Sequence, residues 1–220
     1  MKPALWPIIP LLISGPLLIR AELNKNQRQI YLLKPISSAS MILVALLALL
    51  LPNRNDTYLS GILIGLILSF IGDMLLMFPG NKRFLLSGLI VFLLGHVAYT
   101  ITFLCVGRVH VADLASLAVL AVLAVLVFVS LRPNLGAMQI PVGLYIAVIS
   151  LMVNRAIATL YDPTFATAQG WMIAIGALLF YISDLILAYG RFGKPLKYHR
   201  ISLAFYYTGQ VLIGLSASYF

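Results

Sequence analysis

Two aspartates lie in stretches that are otherwise typical of membrane-spanning helices. Asp73 occurs in SFIGDMLLMFPG, residues 69–80, and Asp184 occurs in FYISDLILAYGRFG, residues 180–193. A lone carboxylate inside a bilayer is costly unless it is protonated, paired or hydrated. Two carboxyl groups in different environments, one protonated and one ionised, can donate a proton, stabilise a cation and activate water. We take both aspartates as candidate catalytic residues; the alternative is that each only satisfies a neighbouring polar group.

Polar side chains on other predicted helices are candidates for binding a substrate beside the aspartates. Lys34 opens the second predicted helix on the same side of the membrane as the aspartates. Three roles are open for it there: binding a phosphate, pairing with a carboxylate, or snorkelling to the interface. His96 and Tyr99 are three residues apart and share a helix face, as do Tyr207 and Gln210. The alternative for each of these four residues is a satisfied side chain in the core.

The predicted sixth helix carries further polar residues. Tyr145 is a weaker candidate for substrate binding, as is Tyr206 on the eighth predicted helix, because tyrosine is ordinary in helix packing and at membrane interfaces. Asn154 lies toward the outer half of this helix and is also a candidate. We expect its neighbour Arg155 to reach the outer interface.

Other kinds of site find little support in the sequence. His110 and His199 are predicted near opposite surfaces, so no zinc site with three histidines is expected. A serine nucleophile is unsupported because no G-x-S-x-G occurs. The single cysteine, Cys105, excludes an intrachain disulfide. We therefore expect no metal at the pair of aspartates.

The composition identifies the class of protein that must position these residues. The chain has 220 residues, of which 62% are hydrophobic and only 10% are charged, and its mean hydropathy is +1.03. A soluble domain could not cover so much apolar side chain with so few charges. We therefore predict an all-α, polytopic membrane helix bundle that forms a single transmembrane domain over residues 1–220.

Eight stretches are long and apolar enough to be transmembrane helices. The prolines of the first stretch predict a kinked helix, and we expect no cleavable signal peptide there. Seven spans is the alternative, if that first stretch lies in the interface. The predicted spans are residues 4–20, 30–51, 58–78, 84–106, 112–131, 138–160, 168–189 and 200–219.

The basic residues predict the orientation of the bundle. The connections after the odd-numbered helices hold eleven Lys and Arg residues, and the opposite side holds four. Basic residues accumulate on the cytoplasmic side of membrane proteins. We therefore expect both termini outside, an interaction with anionic membrane lipids, and no nucleic-acid partner. The eleven are Arg20, Lys25, Arg28, Lys34, Lys82, Arg83, Arg132, Arg191, Lys194, Lys197 and Arg200.

An internal repeat relates the two halves of the chain, about residues 1–107 and 108–220. Gly65 precedes Asp73 by eight residues, and Gly176 precedes Asp184 by eight. Further along, the Gly-His pair at residues 95–96 corresponds to the Gly-Gln pair at residues 209–210. Repeats of four helices share one orientation, so the two aspartates are predicted at the same depth, on the cytoplasmic side of the midplane.

Several ordered motifs resemble those of the YhhN-like lysoplasmalogenases, integral membrane hydrolases. The motifs are IGDMLLMFP, GHVAYT, PVGLYIAVISLMVNRA, GALLFYISDLILAYGRF and YYTGQVLI, within residues 30–215. The resemblance implies an eight-helix enzyme that cleaves the vinyl-ether bond of a lysophospholipid, giving a fatty aldehyde and a glycerophospho-alcohol. The key aspartates of the family map onto Asp73 and Asp184. Some relatives have Asn at the second position, whereas this chain has both acids.

The implied chemistry fits a pair of carboxyl groups. A protonated Asp can protonate the electron-rich β-carbon of a vinyl ether, and an ionised Asp can stabilise the resulting cation and deprotonate water. No cofactor is needed. The sequence does not show which Asp is the acid, whether the head group is choline or ethanolamine, or the oligomeric state. The expected location is the bacterial inner membrane.

Two other functions are considered. A di-aspartyl intramembrane protease is disfavoured, because the first glycine of G-x-G-D is missing and no P-A-L follows. A lipid or proton-coupled transporter is the main alternative, since internal duplication and intramembrane acids suit it equally well. Turnover of lysoplasmalogen by the purified protein would distinguish the enzyme from the transporter.

Overall fold

Helices account for the regular structure throughout the part of the chain that is described. The computed structural model describes residues 6–78, 80–193 and 199–219, and no β-strand occurs in these ranges. Lys2, Lys194 and Lys197, three of the basic residues counted above, lie outside them. The α-helices are α1 (Ile8–Leu23), α2 (Gln27–Leu46), α3 (Asp56–Leu76), α4 (Lys82–Val106), α5 (Asp113–Leu135), α6 (Gln139–Ala158), α7 (Thr167–Phe192) and α8 (Ser202–Ser216).

Asparagine side chains cap the N-termini of three consecutive helices. Asn26, Asn55 and Asn81 stand immediately before α2, α3 and α4, and each side chain accepts a hydrogen bond from a backbone N–H of the first turn. An Asn at this position satisfies a donor that the helix itself leaves unpaired. These caps set where the polar connections end and the apolar helices begin.

Five stretches of the described chain are long and apolar enough to cross a membrane. They are Gln27–Leu50, Asp56–Leu76, Arg83–Val106, Asp113–Ala158 and Thr167–Phe192, and the fourth contains both α5 and α6. The chain is therefore an all-α integral membrane protein. The helices α1 and α8 have 16 and 15 residues, fewer than the roughly 20 that cross a bilayer. The number of eight spans stays a prediction.

Glycines bring two pairs of helices into close contact. The helices α7 and α8 approach so closely that a Cβ built on Gly209 would lie 2.6 Å from the carbonyl oxygen of Gly176. Likewise, Gly95 of α4 faces the backbone of Gly65 on α3, and a Cβ at Gly95 would lie 3.4 Å from that carbonyl oxygen. Small residues permit this approach because no side chain separates the backbones. The helices that carry the two aspartates, α3 and α7, are thus each held against a following helix.

The structure corrects the expected positions of two residues. The helix α2 begins at Gln27, so Lys34 lies inside it instead of opening it. Arg155 does not reach the outer interface: it is only 5% exposed, and its guanidinium is paired with Asp113. Burial of a cation inside a bundle requires such a partner, and no local pattern in the sequence indicates which acid supplies it.

Candidate active site

Asp73 and Asp184 line the same cavity. Its volume is about 480 Å³, and its lining comes from α1, α2, α3, α4, α6, α7 and α8 together with the connections at one end of the bundle. Apolar side chains form much of the wall; they include Leu85, Leu89, Phe92, Val142, Ile146 and Ile149. The cavity therefore combines two carboxyl groups with apolar walls, as a site for an amphipathic molecule requires.

Asp73 is almost fully buried and lies among donors from two other helices. Its Oδ2 accepts hydrogen bonds from the hydroxyls of Ser38, at 2.6 Å, and Tyr206, at 2.8 Å. The Nζ of Lys34 lies 3.4 Å from its Oδ1. A cation and two hydroxyl donors all favour the ionised carboxylate. Lys34, one of the candidate binding residues, thus pairs with Asp73 and also lines the cavity.

Asp184 has a different set of partners. Its Oδ2 accepts a hydrogen bond of 2.5 Å from the hydroxyl of Tyr145, and the Nε2 of His96 lies 3.3 Å from the same oxygen. No Lys or Arg side chain is within ion-pair distance of this carboxyl group in the described ranges. Its Oδ1 makes no hydrogen bond to any described residue. The two carboxyl groups therefore face one cavity from unlike environments.

The contacts of His96 assign its tautomer. The Nε2 lies 3.0 Å from the Tyr145 hydroxyl oxygen and 3.3 Å from Asp184 Oδ2. Because the Tyr145 proton is directed to Asp184, both oxygens are acceptors toward His96, so Nε2 carries its proton. The Nδ1 is buried and has no hydrogen-bond partner among the described residues. A proton on Nδ1 would therefore have no acceptor among the described residues.

Three of the other sequence candidates lie next to this site but do not line the cavity. The Tyr99 hydroxyl donates to Gln210 Oε1 at 2.7 Å, and the Gln210 amide donates to Ser69 Oγ at 2.9 Å. The Tyr207 hydroxyl lies 3.3 Å from Ser38 Oγ. Their contacts connect α4, α8, α3 and α2 behind the aspartates, so they position the helices that carry the site.

Asn154 belongs to a separate polar cluster at the opposite end of α6. Its amide donates to the backbone oxygen of Asp113 at 2.9 Å and to Ser116 Oγ at 2.8 Å. In the same cluster, Asp113 accepts hydrogen bonds from Arg155 and from the Tyr161 hydroxyl. The structure thus places Asn154 in a connection between α5 and α6, away from the cavity.

The nearby connection between α6 and α7 contains a carboxylate that holds backbone groups. Asp162 accepts hydrogen bonds from the backbone N–H of Thr164, at 2.9 Å, and from that of Arg108. Burial by itself raises the pKa of Asp162, but these backbone donors outweigh it and hold the pKa below its usual range. This residue therefore stabilises the fold at neutral pH.

Two residues that donate hydrogen bonds to Asp73 were not predicted from the sequence as its partners. Ser38 was not a candidate and Tyr206 was only a weak one, yet both donate to Asp73 Oδ2. A signal was present for the first of them, because serines recur at residues 37, 38 and 40 in an apolar helix. Serine is common in membrane helices for packing alone, so that signal did not identify a partner.

Comparison with known proteins places these residues in a family. The model of the YhhN family matches residues 29–217. A Bos taurus protein, lysoplasmalogenase TMEM86A, is 34% identical over 161 residues, 71% of this chain and 64% of the relative. The Homo sapiens TMEM86A is 34% identical over 163 residues, with the same coverage. The human lysoplasmalogenase TMEM86B is 37% identical over 81 residues, 36% of this chain and 31% of the relative.

The matches cover only part of each relative's sequence. The match to each TMEM86A protein spans 64% of its length, slightly less than two thirds. No solved structure gives a significant match to the chain.

Proposed function

This chain belongs to the YhhN family, and we propose that it is a membrane hydrolase that cleaves the vinyl-ether bond of lysoplasmalogens. The products are a fatty aldehyde and a glycerophospho-alcohol. The observation that carries the proposal is that both intramembrane aspartates line one largely apolar cavity. The names of the TMEM86 relatives, all lysoplasmalogenases, support the same activity.

The partners of the two carboxyl groups support a division of roles. Lys34 balances the charge of an ionised Asp73. Asp184 has no Lys or Arg partner among the described residues, and an uncompensated carboxylate in the membrane is costly. Asp184 is therefore the group that carries a proton, on its Oδ1, and acts as the general acid. Asp73 is the ionised group.

The reaction then proceeds through four proton transfers that return the site to its starting state. Asp184 gives its proton to the β-carbon of the vinyl ether, and the double-bond electrons form the new C–H bond, leaving an oxocarbenium ion. The negative charge of Asp73 stabilises this cation. Water adds to the cationic carbon and loses a proton to Asp73. In the collapse of the hemiacetal, Asp73 protonates the departing glycerol oxygen and Asp184 takes the hydroxyl proton.

The arrangement of partners across the two halves supports the internal repeat as part of this proposal. Asp73 of the first half is bound by Tyr206 on α8, in the second half. Reciprocally, Asp184 of the second half is contacted by His96 on α4, in the first half. Within each half, Asp73 has a partner on α2 and Asp184 has one on α6. This exchange is the pattern of two parallel four-helix repeats related by an axis along the membrane normal.

We further propose that all eight predicted helices span the membrane, with the cavity opening to the cytoplasm. The connections that line its open end, after α1, α3 and α7, are those rich in Lys and Arg. A vinyl ether lies just below the head groups of a bilayer lipid, which is the predicted depth of the aspartates. The bacterial inner membrane stays the proposed location.

The test is aldehyde release from lysoplasmalogen by the purified protein in detergent. Asp73→Asn and Asp184→Asn should each lower kcat at least about a hundredfold, as for loss of a general acid or base. Asp56→Asn is the matched control, because Asp56 is exposed and far along α3 from the cavity. In D₂O, the aldehyde should gain one deuterium at the carbon next to its carbonyl. Binding without aldehyde release would instead favour the transporter.

A further inference from the structure

Cationic side chains line the open end of the cavity, where the helices end. They are Lys25 in the connection after α1, Arg191 in the last turn of α7, and Arg200 just before α8. Arg200 Nη1 is paired with Glu22 Oε2 at 2.9 Å. Lys25 and Arg191 are exposed and form no ion pair with any described residue. The open end thus carries two cations whose charge the described residues leave uncompensated.

We propose that Lys25 and Arg191 bind the phosphodiester of a lysophospholipid whose vinyl ether lies at the aspartates. This proposal rests on the proposed function and specifies which part of the substrate binds at the open end of the cavity. An arginine guanidinium can donate two parallel hydrogen bonds to phosphate oxygens, and a lysine supplies a compact charge.

The position of Arg191 relative to Asp184 fits the dimensions of such a lipid. Asp184, Ala188 and Arg191 follow the spacing of one helix face, and all three line the cavity. Seven residues separate the acid from the arginine, or roughly 10 Å along α7. Long side chains of a helix lean toward its N-terminus, which directs Arg191 back toward Asp184. Five single bonds join the vinyl-ether oxygen to the phosphorus, roughly 6 Å when extended.

The backbone at Lys25 provides a second, independent observation. Lys25 has a φ of 53°, in the left-handed region, and is the only non-glycine residue with a positive φ in the described chain. It stands just after α1, where the N–H of Asn26 bonds to the carbonyl of Ala21. Glycine is the usual residue at this position because it has no Cβ. A lysine there carries a conformational cost, which is consistent with a role for its side chain.

A fourth cation lines the cavity, Lys34, and it is less suited to bind phosphate. Lys34 is buried, and its ammonium lies 3.4 Å from Asp73. A phosphate bound there would compete with that carboxylate for the same charge and would bring two anions together. The cations at the open end are therefore the better partners for the phosphodiester.

The experiment compares two substrates that share the vinyl ether and differ in the phosphate. Arg191→Gln and Lys25→Gln should each raise KM for alkenyl glycerophosphoethanolamine about tenfold, as for loss of one charged hydrogen bond, with little change in kcat. For the neutral alkenylglycerol, KM should not change. Arg191→Lys should recover only part of the loss. Arg28→Gln is the matched control, because Arg28 is exposed on the same side and does not line the cavity.

A binding measurement separates this proposal from the proposed function. The saturated alkyl-ether analogue of the lysophospholipid cannot be hydrolysed through a vinyl ether, so its stabilisation of the protein against heat reports binding alone. We expect it to stabilise the wild type more than alkylglycerol does, and Arg191→Gln to reduce that difference. Free glycerophosphoethanolamine and inorganic phosphate are tested as competitors, since the first mimics the head group and the second the anion alone.

Each outcome decides the proposal. Equal KM changes for both substrates, or equal stabilisation by both ether analogues in wild type and variant, would overturn the phosphodiester site. The same loss in Arg28→Gln would assign the effect to anionic membrane lipids instead. A phosphate-dependent binding difference without any aldehyde release would support the site and refute the hydrolase.

Discussion

Replacing Lys34 tests the ion pair on which the proposed roles of the aspartates depend. Its ammonium lies 3.4 Å from Asp73 Oδ1, and both side chains are buried, with 8% and 4% of their surface exposed. At an effective dielectric constant of about 20, two unit charges at this distance attract by about 5 kcal/mol. Removing one partner of a buried pair costs about 3–5 kcal/mol, because the other charge is left uncompensated.

In Lys34→Gln, Asp73 escapes this cost by taking up a proton. A neutral Asp73 cannot stabilise the oxocarbenium ion, so kcat should fall; about 3 kcal/mol of lost stabilisation corresponds to roughly a hundredfold. A higher pH is then needed to ionise Asp73, so the acidic limb of the pH–rate profile should move upward. Steady-state aldehyde release measured against pH tests both effects. KM should change little if the phosphate binds elsewhere.

The double variant Lys34→Gln, Asp73→Asn distinguishes charge balance from packing. It removes both charges, so its thermal stability in detergent should exceed that of Lys34→Gln alone, while its activity stays low. A raised KM with unchanged kcat in Lys34→Gln would show that the lysine binds phosphate uniformly in ground and transition states. Wild-type kcat, KM and pH profile in that variant would leave only a snorkelling role and refute the reasoning.

Three further predictions concern stability and orientation. Asp162→Asn should lower the free energy of unfolding by about 1–3 kcal/mol at neutral pH. Because the pKa of Asp162 is lowered in the folded state, the carboxylate stabilises the fold fully above about pH 4 and loses this effect at lower pH. The thermal unfolding curves of the wild type and the variant should therefore converge in acid. Gly209→Ala should destabilise the α7–α8 contact, since its Cβ would lie 2.6 Å from a backbone oxygen, whereas Gly15→Ala, with nothing within 4 Å, should not. In a Cys105→Ser background, an impermeant thiol reagent on intact cells should label a cysteine at position 53 but not one at position 29; the reverse labelling would invert the proposed topology.

Much of the site could be anticipated from the sequence because charged residues are so rare in this chain. A carboxylate within an apolar helix has few structural reasons to be there, and this identified Asp73 and Asp184 directly. The equal spacing of each from a preceding glycine then predicted matched positions. The family resemblance is confirmed by the match over residues 29–217.

The partners of these residues could not be predicted in the same way. The sequence left Lys34 with three possible roles, and the placement of its ammonium beside Asp73 depends on how α2 packs against α3. His96 and Tyr145 lie 49 residues apart in sequence, and neither has a local signal that names the other. Asn154 was grouped with them by residue type, yet α6 carries it to the opposite end of the bundle.

The sequence by itself determined the class of protein, the helical segments and the two candidate acids, because hydropathy and the cost of a buried charge are properties of single segments. Only the tertiary structure decided that both acids line one cavity, that Lys34 lies beside Asp73 whereas Tyr145 and His96 lie beside Asp184, and that two exposed cations lie at the open end. The physical reason is that the protonation of a carboxyl group depends on its neighbours within a few ångströms. Those neighbours come from helices far apart in the chain, and the packing of the helices alone brings them together.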